Sequence, residues 1–233
     1  MQASPIADEK GHYTMIQVGE LSIEEMDKIL NLFPESFMQM PLQEQKISVS
    51  VYRLMLQGKP LSAKLIATSL GLVPEVVNQF LDHCSGIDYN DAGSIIGYWG
   101  LSLSKTGHRF EVDGHELYTW CAWDALFIPG IIGKTAMVTS ICPVTGSPIR
   151  LTVSPNAVNS TRPVGTVVSF IEPEAVSKQE SIVKSFCFYV NFFSSKSAGE
   201  HWIAENPGTF LLTLNEAFAL GHRKNELQYV LTS

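Results

Sequence analysis

The stretch Leu117–Ile132, LYTWCAWDALFIPGII, is the longest apolar run of the chain and constrains its fold more than any other feature. Its first part, Leu117–Phe127, is apolar on all sides, the pattern of a helix buried within a core rather than laid on a surface. Pro129-Gly130 is expected to end that helix, because proline lacks the N–H that a helix interior needs. The run carries one thiol, Cys121, and one carboxylate, Asp124, with no Lys or Arg near them in sequence.

Only a sizeable interior can cover such a segment. A chain of 233 residues, 45% hydrophobic and 17% charged, can build one core plus an appended module. Asp124 and the Pro129-Gly130 break interrupt the run before it reaches the ~18 apolar residues of a membrane span. The opening MQASPIADEKGHY has no basic segment followed by an apolar one, so no secretory signal is read. A cytoplasmic location with reduced thiols is the expectation. The net charge of -7 lies mostly in the first half and forms no basic footprint. Neither nucleic acid nor a membrane surface is therefore expected as a partner. Four cysteines, Cys84, Cys121, Cys142 and Cys187, stand far apart with no C-x-x-C pair, which argues for free thiols.

Along the chain, residues 1–20 read as a tail. Ser22-Ile23-Glu24-Glu25 has the capping spacing that opens a helix to about Leu32. Helices follow over Leu42–Gln57, from Ser62 to Leu70, and from Pro74 to about Cys84, the last two joined by a turn at Gly71. With Ile87–Tyr89 and Ile95–Leu103 as a wing, residues 21–105 read as a winged-helix-like module. Its second helix, PEVVNQFLDHC, carries Glu75 and Asp82 and no Lys or Arg. A helix that reads DNA needs phosphate contacts, so this module is expected to pack rather than bind DNA.

Residues 106–233 read as a β-rich catalytic core with flanking helices. Strands are expected at Thr135–Ile141 and Ile149–Val153 around a Pro143–Gly146 turn, then at Gly165–Ile171, Ile182–Phe193 and Phe210–Leu214. Ser197 and Asn215 are expected to cap two helices. Strands and helices mix without βαβ alternation, so the class is α+β.

In a helix, Cys121 and Asp124 at i and i+3 share a face. An apolar setting disfavours the ionised carboxylate and raises its pKa. A neutral acid beside a thiol can take or deliver a proton. The same spacing also fits an Asp124 turned to solvent or bonded to a backbone N–H, with Cys121 a small core residue. On a strand, Cys187 shares a face with Val183, Ser185 and Tyr189, opposite Phe186, Phe188, Val190 and Phe192. Spacing does not bring Cys187 to Cys121. Cys142 reads as structural, half of a zinc knuckle without its partner cysteine, and Cys84 as packing. His83, His108, His115 and His201 lack ligand spacing, and the Arg223-Lys224 pair reads as solvated surface.

Leu117–Asp124, Phe127-Ile128-Pro129, Ile132–Ala136 and Leu151–Pro155 closely resemble the organomercurial (alkylmercury) lyases. Ser185-Phe186-Cys187, Phe192-Phe193 and Asn215–Gly221 continue the likeness, which covers roughly residues 40 to 230 in order and spacing. The tail and first helix look like an addition. The resemblance implies that Cys121, Cys187 and Asp124 are the catalytic and mercury-binding residues. It also implies protonolysis of the carbon–mercury bond of alkyl- and arylmercury compounds, giving a hydrocarbon and protein-bound Hg(II), in mercury detoxification. Mercury(II) is soft, and thiolates are its natural ligands. No organic cofactor is implied. The acceptor of Hg(II) would be a mercuric reductase or small external thiols. Trp120, Trp123 and Phe186 are the expected wall for the organic group. The alternatives are a thiol protein that sequesters mercury without cleaving it, or a metal-responsive regulator.

Overall fold

The computed structural model describes residues 21–31, 40–172 and 186–230. The tail, and the Ile182–Phe193 strand before Phe186, lie outside them. The chain opens with α1 (Ile23–Asn31), whose start is the expected capping box: the Glu25 N–H donates to Ser22 Oγ at 3.2 Å, and the Ser22 N–H donates back to the carboxylate at 2.8 Å. Then come α2 (Leu42–Met55), α3 (Ala63–Leu70) and α4 (Pro74–Asp82). Each boundary has a local cause. Ser62 Oγ accepts from the Leu65 N–H, Gly71 closes α3 in the left-handed conformation, and Pro74 sits in the first turn of α4, where its missing N–H costs nothing.

Eight antiparallel strands follow in one sheet, in the order β1-β2-β3-β5-β4-β6-β7-β8. They are β1 (Ile87–Tyr89), β2 (Ile95–Tyr98), β3 (Leu101–Ser102), β4 (His108–Val112), β5 (His115–Thr119), β6 (Ala136–Ile141), β7 (Pro148–Ser154) and β8 (Ala157–Arg162). The sheet crosses position 105 without a break, because β3 pairs with β5. A second sheet holds β9 (Val167–Ile171) between β10 (Phe192–Phe193) and β11 (Thr209–Thr213), with α5 (Asp124–Ile132), α6 (Lys196–Glu205) and α7 (Leu214–Gln228) packed around the two. The class is α+β. No helix among the described residues is long and apolar enough to cross a membrane.

Four expectations change. The apolar run is two elements, not one helix. Its start is β5, in which Leu117 and Thr119 are buried while Glu116 and Tyr118 face outward and bond each other. The preceding Asp113-Gly114, at φ 51° and 79°, makes the two-residue turn that pairs Val112 with His115. The helix begins only at Asp124 and runs through Pro129 to a left-handed Gly133. Pro129, sixth of the nine helical residues, removes a single intrahelical bond, a loss the buried surroundings outweigh.

The strand expected through Cys187 is instead a 3₁₀ turn over Cys187–Tyr189, held by Ser169: its hydroxyl donates to the Tyr189 carbonyl at 2.6 Å and accepts from the Asn191 N–H at 3.0 Å. Alternation is broken there: Phe188 is 66% exposed, whereas Phe186 and Val190, expected on the same face, are buried with Cys187. The caps of α6 and α7 are Ser195 and Thr213 rather than Ser197 and Asn215; Thr213 forms a full capping box with Glu216. Finally, Arg223 and Lys224 are not free surface. Arg223 grips Asp27 of α1 at 2.7 and 3.0 Å, and Lys224 is 3% exposed.

Candidate active site

Three short segments build the site. The first is the turn Trp120-Cys121-Ala122 between β5 and α5. Asp124 lies in the first turn of α5, where the helix dipole favours a carboxylate. Its Oδ2 accepts the Cys121 backbone N–H at 2.8 Å, so the carboxylate folds back over the turn that carries the thiol. Of the two readings left open by spacing, the backbone bond is present, and the thiol is beside it as well.

The second segment is the 3₁₀ turn of Cys187. The Ala122 N–H donates to the Val190 carbonyl at 3.1 Å, which ties the two cysteine turns together. Cys121, Asp124 and Cys187 then offer ligand atoms that all lie within 4.8 Å of one another, and all three residues are buried. A metal–thiolate bond runs about 2.3 Å for zinc and longer for a heavier ion, so one soft cation fits between the two sulfurs.

The third segment is the bend between β2 and β3, which sequence reasoning missed. Trp99 and Gly100 both have positive φ, 36° and 96°, and make a two-residue turn that pairs Tyr98 with Leu101. A Cβ at Gly100 would stand 2.4 Å from Asp124 Cγ, so only glycine admits the carboxyl group there. From α2, the buried Tyr52 hydroxyl donates to the Trp99 carbonyl at 2.8 Å and fixes the bend. The signal available in sequence was a pair of glycines, Gly97 and Gly100, inside the Ile95–Leu103 strand pattern.

Asp124, Cys187, Trp99 and Gly100 line a cavity of about 30 Å³, room for a water molecule or two, with Cys121 buried beside them. Trp120, Trp123 and Phe186 line it too, joined by Phe127, Lys224 and Gln228. Trp123 is held by its indole N–H, which donates to the Ala217 carbonyl of α7 at 2.9 Å, and by edge contacts with Phe127, Phe170 and Phe186. Lys224 reaches the cavity because α7 buries the stripe Ala217, Leu220, Gly221, Lys224, Gln228. That 3.6-residue period was visible in the sequence, and the charge hid it. Its ammonium stands 3.9 Å from the centre of the Phe127 ring.

Burial sets the charges. It pushes Asp124 up to about 6, against the pull of its hydrogen bonds from Cys121 and of the Lys224 charge. Burial also drives the Cys121 thiol well above its ordinary value, with Cys187 and Asp124 adding to the rise. For Cys187 the bond with Cys121 pulls down, yet burial and the Asp124 charge leave it raised. Lys224 falls to about 7, again through burial. At neutral pH the site holds two protonated thiols beside a carboxyl group able to take a proton. The histidines do not enter it: His108 is a core residue lowered by burial to about 4 and bonded to Ser140 Oγ at 2.9 Å.

Residues 101–225 match the family model of the alkylmercury lyases, MerB. The chain is 43% identical to the alkylmercury lyase of Pseudomonas putida over 182 residues, 78% of this chain and 84% of that protein. It is 41% identical to that of Streptomyces lividans over 174 residues, 75% of this chain and 79% of the relative. In fold it is similar to the crystal structure of the mercury-bound form of MerB2, with a TM-score of 0.68 at 21% identity, over 88% of this chain and 98% of that one. A buried thiol pair with an acid at its side, inside a match of this length, places the chain in the alkylmercury lyase family.

Proposed function

We propose that this protein cleaves the carbon–mercury bond of organomercurials by protonolysis, with Cys121, Cys187 and Asp124 as its catalytic residues. The observation that carries the reading is the convergence of two thiols and one carboxyl group, all buried, within 4.8 Å. Mercury enters as substrate, R–Hg–X. Asp124 takes the proton of one thiol, and the thiolate bonds mercury as X leaves. X departs as HX with that proton. Asp124, ionised again, takes the proton of the second thiol as its sulfur joins, and the carbon on mercury, now held by two sulfurs, becomes electron-rich. Asp124 then hands its proton to that carbon. The electron pair of the C–Hg bond becomes the C–H bond, and Hg(II) stays on the sulfurs without change of oxidation state. Metal binding by thiols always releases protons, and here one of them is the reagent.

The raised thiol pKa values support this reading, because both sulfurs keep their protons until a soft metal competes for them. Trp120, Trp123 and Phe186 form the apolar wall that accepts the organic group. The chemistry requires no organic cofactor. Small external thiols or a mercuric reductase would remove Hg(II), and a cytoplasmic setting would keep the thiols reduced. We read residues 21–105 as a winged-helix-like module that packs instead of binding DNA, and residues 106–233 as the catalytic part, with residues 1–20 a tail. What supports the former is α3, the Gly71 turn and α4, followed by β1 and β2.

The test is benzene, measured by gas chromatography after phenylmercury is added. Benzene should form with the unaltered chain and fall by at least ~10³-fold in Cys121→Ser, since removing a covalent catalyst costs that much or more. Near-normal release in that variant would rule the mechanism out.

A further inference from the structure

A groove of about 520 Å³ opens between α2 and α4, within the ~300–1,000 Å³ range of small-molecule sites. Its walls carry Gln43 and Glu44 on one side and Gln79 and His83 on the other. Trp99 and Gln228 line this groove and the catalytic cavity alike, so two side chains separate the spaces. The Trp99 ring lies flat on Gly86, where a Cβ would come within 2.3 Å of it, and its indole N–H donates to Cys84 Sγ at 3.0 Å. Its backbone occupies the left-handed region, a costly place for a large residue.

The catalytic cavity, at about 30 Å³, is too small for a whole substrate. A soft R–Hg⁺ ion in a thiol-containing solution travels as R–Hg–SR′. Mercury in such adducts is linear, so the organic group and the thiolate project in opposite directions. With R against Trp120, Trp123 and Phe186, the thiolate must point out of the cavity. The groove lies across the part of that wall formed by Trp99 and Gln228.

We propose that the groove between α2 and α4 binds the leaving thiol of the substrate, an amide- and carboxylate-bearing small thiol, with Trp99 and Gln228 as the threshold. The proposal rests on the lyase reading and adds the form in which the substrate arrives. The glutamine amides of both walls suit peptide and carboxylate groups, and Glu44 suits an ammonium. The step balances: the Hg–SR′ bond breaks, an Hg–S bond to an enzyme cysteine forms, and the proton of that cysteine leaves with the departing thiolate as HSR′.

The experiment compares two adducts of phenylmercury, with glutathione and with 2-mercaptoethanol, in single-turnover benzene release without other thiol. Gln79→Trp and Gln43→Trp fill the groove from exposed positions on opposite walls. Each should slow the second-order rate constant for the glutathione adduct by about tenfold or more, while the mercaptoethanol adduct stays within about twofold. Equal loss on both adducts, or no loss on either, would overturn the proposal. If the unaltered chain releases no benzene from either adduct, the lyase reading itself fails, an outcome distinct from both.

Discussion

Cys121 and Cys142 are both buried, yet their surroundings drive them in opposite directions. Cys121 lies in an apolar cavity beside a carboxyl group and a second thiol, and is driven well above the ordinary thiol range. Cys142 begins the turn between β6 and β7. Burial pushes it up too, but hydrogen bonds from Thr145 and Ser194 outweigh that and bring it down to about 7. The more acidic sulfur is thus outside the site. A thiolate waiting at neutral pH would bind mercury but bring no proton, and protonolysis needs the proton. The difference teaches that this site is built to keep hydrogens on sulfur, not to ionise it.

The sharpest way to break that contrast is to remove the proton carrier and leave the sulfurs. Asp124→Asn keeps an oxygen able to accept the Cys121 N–H and keeps the shape that Gly100 admits. Hydrocarbon release should fall by about 10²–10⁴-fold, the usual worth of a general acid–base, while Hg(II) binding by the two thiols persists. Stopped-flow binding and benzene assays on one sample check it. Unchanged benzene release would assign the proton to another donor and dissolve the contrast between the two cysteines.

The opposite side of the comparison predicts a stability effect. The folded-state pKa of Cys142 lies below its unfolded value of 9.0, at about 7. Its contribution is therefore fully present above pH 9 and is lost as pH falls through 7, where both states hold the proton. Cys142→Ala should lower stability by on the order of 2 kcal/mol at pH 9 and by less at pH 6, because the donors of Thr145 and Ser194 lose their acceptor. Urea unfolding at the two pH values reads this. A pH-independent loss would mean that the thiolate has no special place there.

How much of this was legible depends on whether the cause was local. Ser62, Gly71 and Pro74 announce the helices they bound, and Pro143–Gly146 announces its turn, because capping and turn chemistry act within a few residues. The run around Cys121 misled because its apolar character reports burial, which a central strand and a core helix share. Asp113-Gly114 was the overlooked marker that part of it is a hairpin. Cys121 and Asp124 stood out by their i, i+3 spacing, but Cys187 was joined to them only through resemblance, since no spacing rule reaches across 66 positions. Gly100 and Lys224 escaped because their roles exist only in three dimensions: one is a space where a carboxyl group fits, the other a charge on the wrong face of a helix.

Lys224 offers the finest adjustment of the contrast. Its ammonium lowers Asp124 through space, opposing the burial that raises it. Replacing it by methionine removes that pull, so the acid limb of the pH–rate profile should move to higher pH, with up to about a tenfold loss of rate near pH 6 and little loss at pH 8. Stability should move the other way. The lysine falls from 10.5 unfolded to about 7 folded, so its burial cost is complete below pH 7 and fades as pH rises toward 10.5. Lys224→Met should therefore stabilise by about 1–3 kcal/mol at pH 6.5, the range seen when a buried charge gives way to an apolar side chain, and by clearly less at pH 9.5. A variant less stable at pH 6.5, with an unshifted acid limb, would show that the ammonium supports packing instead of tuning the carboxyl group. Burial alone would then set the proton affinity that separates Cys121 from Cys142.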